Sequence, residues 1–242
     1  MLPEGGSRLA ADRRLRVVTY NVHACIGSDG IFRPQRIREI LEELRADFIG
    51  IQELEDRVLG DEPVSEYLAR TLGMHAYRGA TLKREDAHYG NLLLSREPAS
   101  TICMHDISVQ GREPRGVIEA GYNLCDRRVR VLVTHFGLKV AERRKQARDL
   151  LRVIDVGNAD VDVLLGDLNE WRPVSYTVKA LKRRFGAVPR RGTWPAGRPL
   201  LPLDSICVAP DAVRRTVRVM NSTAARRASD HLPLVCDLEL PG

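Results

Sequence analysis

Apolar and polar positions along the chain follow two rhythms, a period of two that marks strands and a period near 3.6 that marks amphipathic helices. After a polar lead-in over residues 1–14, residues 15–22 alternate as a first strand. Residues 34–45 then set Ile37, Ile40, Leu41 and Leu44 at helical spacing, with Pro34 in the first turn where its missing N–H does no harm. Residues 48–52 predict a second strand that delivers Glu53 at its end, and residues 63–72 a second helix with Val64, Tyr67, Leu68 and Leu72 on one face. The middle is strand-rich. Runs at 77–82 and 91–95 are separated by the polar stretch 83–90, and further strands follow at 100–109, 116–124 and 128–134, the last two joined by the turn former Cys125-Asp-Arg127. Residues 140–156 return to helix, with Ala147, Leu150, Leu151 and Ile154 facing inward and an arginine-rich outer face. A helix at 173–185, a Pro/Gly/Arg loop at 189–202 bearing Trp194, and closing strands at 203–208 and 232–240 complete the pattern.

The element order is strand-helix-strand, then a meander, then helix-strand-helix-strand, with no repeat of fixed period and no linker-like segment. Two β-sheets packed face to face with helices outside satisfy that order most simply. A length of 242 residues suits one such domain over residues 15–242.

The most informative run lies between the last two helices. Val161-Asp-Val-Leu-Leu stops at Gly166 and is followed at once by Asp167, Leu168 and Asn169. In strand geometry residues two apart point the same way, so Asp167 and Asn169 converge on one spot at the strand end. Taken singly, Gly-Asp-Leu-Asn is a good turn. Other apolar runs, however, end in the same kind of group: Val17 to Asn21, Phe48 to Glu53, Val131 to His135, and Ser229-Asp230-His231 opening the last strand.

Composition narrows what these groups face. The hydrophobic share of 43% and charged share of 29% are those of a soluble domain, and no run approaches the length of a bilayer span. The first 14 residues carry Glu4 and Asp12 and lack an apolar core, so neither a signal peptide nor an anchor is expected, and the chain is expected in the cytoplasm as a monomer. The cysteines, Cys25, Cys103, Cys125, Cys207 and Cys236, show no CxxC spacing and read as buried reduced thiols rather than a zinc site or disulfide framework. A net charge of +6 gathers in Arg143-Arg-Lys145, Lys182-Arg-Arg184, Arg190-Arg191, Arg214-Arg215 and Arg226-Arg227, which favours an anionic partner, either nucleic acid or an anionic membrane surface met peripherally.

The strand-end set of Asn21, Glu53, His135, Asp167, Asn169, Asp204, Asp230 and His231 is rich in oxygen and lacks thiolate, which favours magnesium or manganese over zinc. A hard cation held by few carboxylates takes substrate phosphate oxygens as further ligands, which points to phosphate esters. A carboxylate beside it could activate water, and an imidazole oriented by a carboxylate, as His231 by Asp204, could donate to the phosphate.

Together Thr19-Tyr-Asn-Val-His23, Ile51-Gln-Glu53, Gly90-Asn91-Leu-Leu-Leu-Ser-Arg96, Glu113-Pro-Arg115, Thr134-His135, Gly166-Asp-Leu-Asn169, Leu203-Asp204 and Ser229-Asp-His-Leu-Pro233 resemble the endonuclease/exonuclease/phosphatase superfamily. Deoxyribonuclease I, abasic-site endonucleases, neutral sphingomyelinases and inositol polyphosphate 5-phosphatases belong to it. The resemblance runs from about Arg16 to Leu240 and implies a four-layered α/β sandwich. It implies that Asn21, Glu53 and Asp230 serve the divalent cation, that Asp167 activates water and that Asn169 holds a phosphate oxygen. His231 would face the phosphate with Asp204 behind it, and His135 would match a second histidine of the deoxyribonuclease and sphingomyelinase branches. Arg115, with Arg112, would contact phosphate, and His23 and Asn91 would line the substrate.

Departures bear on substrate. Glu53 is followed by Leu54-Glu-Asp56 and Thr134 by His135, unlike abasic-site endonucleases, and the chain has little room for large insertions. The closer likeness is a bacterial branch of general metal-dependent phosphoesterases with a sphingomyelinase-like pattern. The leading expectation is therefore a phosphodiesterase acting on a lipid headgroup or small phosphoester by in-line attack of activated water. A metal-dependent nuclease acting on DNA is the second, and a catalytically dead binding protein the third. The last is disfavoured because no expected acid, base or ligand is missing.

Overall fold

The computed structural model describes residues 13–84 and 87–241. Its strands are β1 (Arg14–Asn21), β2 (Phe48–Asp56), β3 (Val58–Leu59), β4 (Glu62–Pro63), β5 (His75–Arg84), β6 (Ala87–Ser95), β7 (Thr101–Asp106), β8 (Gly116–Leu124), β9 (Arg127–His135), β10 (Val161–Asp167), β11 (Asp204–Ala209), β12 (Arg214–Val219) and β13 (Leu234–Glu239). The helices are α1 (Pro34–Leu44), α2 (Val64–Leu72), α3 (Val140–Val156), α4 (Tyr176–Phe185) and α5 (Thr223–Ala228).

One sheet runs β12-β13-β1-β2-β6-β5 and the other β11-β10-β9-β8-β7. Each contains one parallel pair, β1 with β2 and β9 with β10, and each pair is joined by a helical crossover, α1 and α3 respectively. The layers follow from burial. Ile37, Leu41 and Leu68 of α1 and α2 pack on Val18, Tyr20, Ile49 and Ile51 from the first sheet's outer face. Val17, Phe48 and Leu93 of the same sheet point the other way and meet Val131, Val163 and Ile206 of the second sheet. Leu132 and Leu164 then face Ala147, Leu150 and Leu181 of α3 and α4. The result is the four-layered α/β sandwich. Gly50 permits a close approach of the sheets, since a Cβ there would lie 2.9 Å from Leu165 Cβ.

Several boundaries and elements differ from the sequence reading. Most of the 1–14 lead-in lies outside the described residues, but Arg14 already pairs with Glu239, so the first strand starts earlier than expected. The polar stretch 83–90 largely belongs to a long β5–β6 hairpin. Strand β12 and helix α5 are missing from the sequence reading: β12 is an arginine-rich edge strand, and α5 a single short stretch with no apolar stripe. Ser229-Asp230-His231 lies in the loop before β13 rather than opening it. Helix α4 begins at Tyr176, leaving Val174 exposed. Cys25, Cys207 and Cys236 are buried, and burial pushes each thiol up to about 12; Cys103 is exposed on β7, so the expectation of a buried thiol fails there. On α3, Arg143 turns inward and is buried, against the expected outward arginine face, because a buried glutamate awaits it.

Candidate active site

Both parallel pairs end at the same pole of the sandwich, and their terminal side chains meet there. In the second sheet His135, Asp167 and Asp204 stand in register on adjacent strands β9, β10 and β11. From the first sheet, Asn21 reaches across at the end of β1: its Nδ2 donates to Asp167 Oδ2 at 3.0 Å and to Glu53 Oε1 at 2.9 Å. The His23 backbone N–H donates to Asn21 Oδ1 at 3.0 Å, which fixes the orientation of the amide. Asn21 thus presents its donor, not its oxygen, to the two carboxylates.

Backbone irregularities aim two of these groups. A bulge in β2 sets Gln52 and Glu53 against a single residue of β6, and Glu53 adopts φ 57°. Asn169 sits at φ 50°, where asparagine is tolerated better than most residues, and its N–H donates to Asp167 Oδ1 at 2.9 Å. A left-handed glutamate is a local cost of about 1–2 kcal/mol, borne where the chain must turn a carboxylate into the cleft.

Two imidazoles flank Asp167 in opposite protonation states. His231 Nδ1 lies 2.8 Å from Asp204 Oδ2 and its Nε2 3.8 Å from Asp167 Oδ2. Burial by itself would lower the His231 pKa, but the charge and hydrogen bond of Asp204, with Asp167 and Asp230 behind, push it up to about 10. His135 is held well below the ordinary imidazole range by burial, by Arg115 and by His231. Arg115 Nη1 lies 2.8 Å from His135 Nδ1, and because a guanidinium only donates, the proton of the neutral ring belongs on Nε2. That nitrogen is 3.6 Å from Asp167 Oδ2 and 3.8 Å from Glu53 Oε1. Asn169 Nδ2 donates to Phe136 O at 2.8 Å and comes within 3.1 Å of the same Nε2. Asp167 itself is pushed up to about 6, by burial first and by Asp204 second, against the opposing pull of His231, Asn21 and the Asn169 N–H.

Three carboxylates, Glu53, Asp167 and Asp204, thus gather around His231, His135 and the Asn21 amide. Atoms of Glu53, His135 and Asp167 lie within 4.8 Å of one another, as do atoms of Asp167, Asp204 and His231, and Asp204 Oδ1 is buried without a hydrogen-bond partner. The donor set fits a hard divalent cation at Glu53 and Asp167, which would relieve the repulsion that raises the Asp167 pKa.

The remaining expected residues are placed differently. Asp230 accepts from Trp194 Nε1 at 3.1 Å and lies 4.0 Å from His23 Nδ1, outside the Glu53–His135–Asp167 group. His23 is exposed at the rim. Asn91 is buried and its Nδ2 donates to Gly116 O at 3.2 Å, bracing β6 against β8. Arg112 is exposed in the loop between β7 and β8. Other contacts were not foreseen. The Thr193 hydroxyl donates to Asp204 Oδ2 at 2.5 Å, the same oxygen that His231 Nδ1 meets, so Asp204 is held by a second donor besides its imidazole. Arg143 donates to Leu138 O at 2.5 Å and to Glu170 Oε2 at 3.4 Å, tying the loop after His135 to the loop after Asn169. The only sequence signal for this clamp is a glutamate immediately after the Gly-Asp-Leu-Asn motif.

A family model described as the Endonuclease/Exonuclease/phosphatase family matches residues 18–231. YbhP of Escherichia coli K12 is 27% identical over 93% of this chain and 96% of its own length. Among solved structures, an endonuclease/exonuclease/phosphatase from Beutenbergia cavernae superposes with a TM-score of 0.77 at 24% identity, covering 95% of this chain and 72% of that one. The mannosyl-6-phosphatase Bt3783 of Bacteroides thetaiotaomicron gives 0.70 at 16% identity, covering 93% and 99%. At these identities the structural likeness speaks for the fold.

Proposed function

Because the chain belongs to the endonuclease/exonuclease/phosphatase family, we propose that it is a divalent-metal-dependent phosphodiesterase, hydrolysing a lipid headgroup or a small phosphoester. The observation that carries the reading is the Asp167 carboxylate, set between His231, whose pKa Asp204 raises, and His135, whose pKa burial and Arg115 lower, at 3.8 and 3.6 Å. Oppositely tuned imidazoles on one carboxylate are a pattern for proton transfer around an oxyanion.

Asp167, ionised in its working form, accepts a proton from water as the water oxygen bonds to phosphorus and the opposite ester P–O bond breaks, releasing an alkoxide that takes its proton from solvent. His231 offers its Nε2–H to a phosphate oxygen, and Asp204, held by Thr193, keeps the ring turned and charged. His135 Nε2–H and Asn169 Nδ2 crowd each other at 3.1 Å as two donors, and a phosphate oxygen between them gives both an acceptor. Arg115, fixed by Glu113 at 3.0 Å, anchors His135 from behind. Bound at Glu53 and Asp167, magnesium or manganese supplies Lewis-acid stabilisation of charge growing on the phosphoryl oxygens.

The arginine clusters favour the nuclease reading less than their number suggests. Arg143 is buried, and Arg214 and Arg215 begin β12 at the pole remote from Asn21 and Asp167. Arg184 pairs with Asp162, Arg215 with Asp211 and Arg227 with Asp29. Magnesium-dependent hydrolysis of bis(p-nitrophenyl) phosphate, lost in Asp167→Asn, tests the reaction; turnover of duplex DNA without turnover of soluble or lipid diesters overturns the substrate class.

A further inference from the structure

We propose that the loops around the mouth of this site form a docking surface for an anionic phospholipid bilayer, an inference that rests on the phosphodiesterase reading and names where its substrate is met. Among the described residues, every exposed large hydrophobic side chain except Met104 and Val156 belongs to a loop, to the short β3–β4 hairpin or to the first residue of a helix, at the pole where Asn21, Glu53, His135, Asp167 and Asp204 end or begin their strands. Ile31 follows β1, Val58 follows β2, Leu138 follows β9, Trp171 and Val174 follow β10, and Leu200 precedes β11.

These side chains are not partly covered fringes of the core. Leu138 and Val174 are each 71% exposed, Val58 69% and Leu200 63%. Scattered exposed apolar residues need no explanation; their confinement to the rim of one opening does. The same loops carry exposed Arg33, Lys139, Arg191 and Arg198; against them stand exposed Asp29, already paired with Arg36 and Arg227, and exposed Asp61 on the turn after Val58. Aliphatic and indole tips interleaved with cations are the surface that enters the boundary between headgroup and acyl chain of an anionic bilayer. A nucleic acid would reward the cations but offers leucine and valine nothing along its phosphate backbone. The opposite pole carries arginines too, but they alternate with acids in cross-strand order, Arg14 beside Glu239 beside Arg214, and among the described residues only Val156, at the end of α3, is an exposed large hydrophobic there.

The test uses the full-length chain carrying Asp167→Asn, so that binding is read without turnover. Co-sedimentation is measured with vesicles of phosphatidylcholine alone and of phosphatidylcholine with one quarter phosphatidylglycerol. Binding is expected only to the anionic vesicles, weakened by salt, and reduced about tenfold or more by Val174→Glu with Leu200→Glu. The matched pair Met104→Glu with Val156→Glu, outside the rim loops, is expected to leave it unchanged. In the otherwise wild-type chain the Val174/Leu200 pair is expected to hydrolyse bis(p-nitrophenyl) phosphate at the parental rate, which separates this surface from the reaction itself. Absence of vesicle binding, equal binding to neutral vesicles, or equal loss from both substituted pairs overturns the proposal, as does duplex DNA binding that the rim pair abolishes in the absence of vesicle binding. Failure of soluble diester hydrolysis in the wild-type chain would instead strike the phosphodiesterase reading.

Discussion

Asp204 holds His231 through a 2.8 Å contact to Nδ1 while the same Asp204 oxygen accepts the Thr193 hydroxyl, so the imidazole is oriented by an aspartate that cannot itself turn away. The proton on His231 therefore belongs to the folded state. An unfolded histidine titrates near 6.5, and the folded one is pushed up to about 10. The protonated pair stabilises the fold fully below about pH 6.5, and that contribution fades as pH rises toward 10. In metal-free protein, the His231 ring nitrogens should keep the imidazolium signature above pH 8 by nitrogen NMR, and Asp204→Asn should move the transition downward. A His231 that titrates at or below the ordinary value sinks the assignment.

Asp167 offers the opposite experiment. Its carboxyl is pushed up to about 6, by burial and by Asp204, so ionising it costs the fold free energy that an asparagine avoids. Asp167→Asn should lower diester hydrolysis by roughly 10²–10⁴-fold, the range of a lost general base, while its thermal midpoint in EDTA stays level or rises. A variant that unfolds at lower temperature would mean that Asp167 serves structure first.

Cation binding should appear without any turnover. A ligand at roughly a hundredfold its Kd stabilises by about 2.7 kcal/mol, which moves the midpoint of a chain this size by roughly 5–10 °C. Magnesium or manganese should raise the midpoint of the wild-type chain and fail to raise that of Glu53→Gln with Asp167→Asn. An equal rise in both proteins would remove these carboxylates as the ligands.

Arg143 and Glu170 form an ion pair in which both partners are buried. Removing one partner strands a charge, so Arg143→Ala should destabilise by about 3–5 kcal/mol in urea titrations. Glu170 also accepts from the partly exposed Arg172, which places the loss toward the lower end of that range. The double variant Arg143→Met with Glu170→Gln should recover part of the stability but not the hydrolytic rate, because the clamp between the His135 and Asn169 loops is gone. Full recovery of both would reduce the pair to packing.

Gly166 admits no side chain: a Cβ there would stand 2.5 Å from the Thr134 carbonyl oxygen, a backbone atom of the neighbouring strand. Gly166→Ala should cost about 1–3 kcal/mol and displace Asp167, read as a lower thermal midpoint with a reduced hydrolytic rate. An alanine variant with unchanged midpoint and rate would show that β9 and β10 yield more easily than close packing implies.

The fold was legible wherever one face of an element is buried and the other is not. Strands β1, β2, β9 and β10 and helices α1 and α3 declare themselves by period, and the polar groups that end those strands were readable as a convergent set. Strand β12 was not, because Arg214, Thr216 and Arg218 face solvent on an edge strand and its apolar partners Val217 and Val219 are too few to set a rhythm. Arg143 was misread for a related reason: periodicity assigns a charged residue to the outer face and has no means of knowing that Glu170, from a distant loop, waits inside. Thr193 on Asp204 and Trp194 on Asp230 come from a loop whose position is set by tertiary contacts such as Leu232 N–H to Thr193 O at 2.9 Å, and no local pattern carries that information.

The Asn21–Asp167 hydrogen bond spans the seam between the sandwich halves, because one residue ends a strand of the first sheet and the other a strand of the second. Chemistry in this protein is thus a readout of sheet docking. A lesion in the interlayer core at Phe48, Leu93 or Val163 that lets the sheets slide by an ångström leaves helix and strand content intact and still dismantles the centre. Turnover should fail before circular dichroism changes, so that the enzyme's rate becomes an internal gauge of how its two halves are mated.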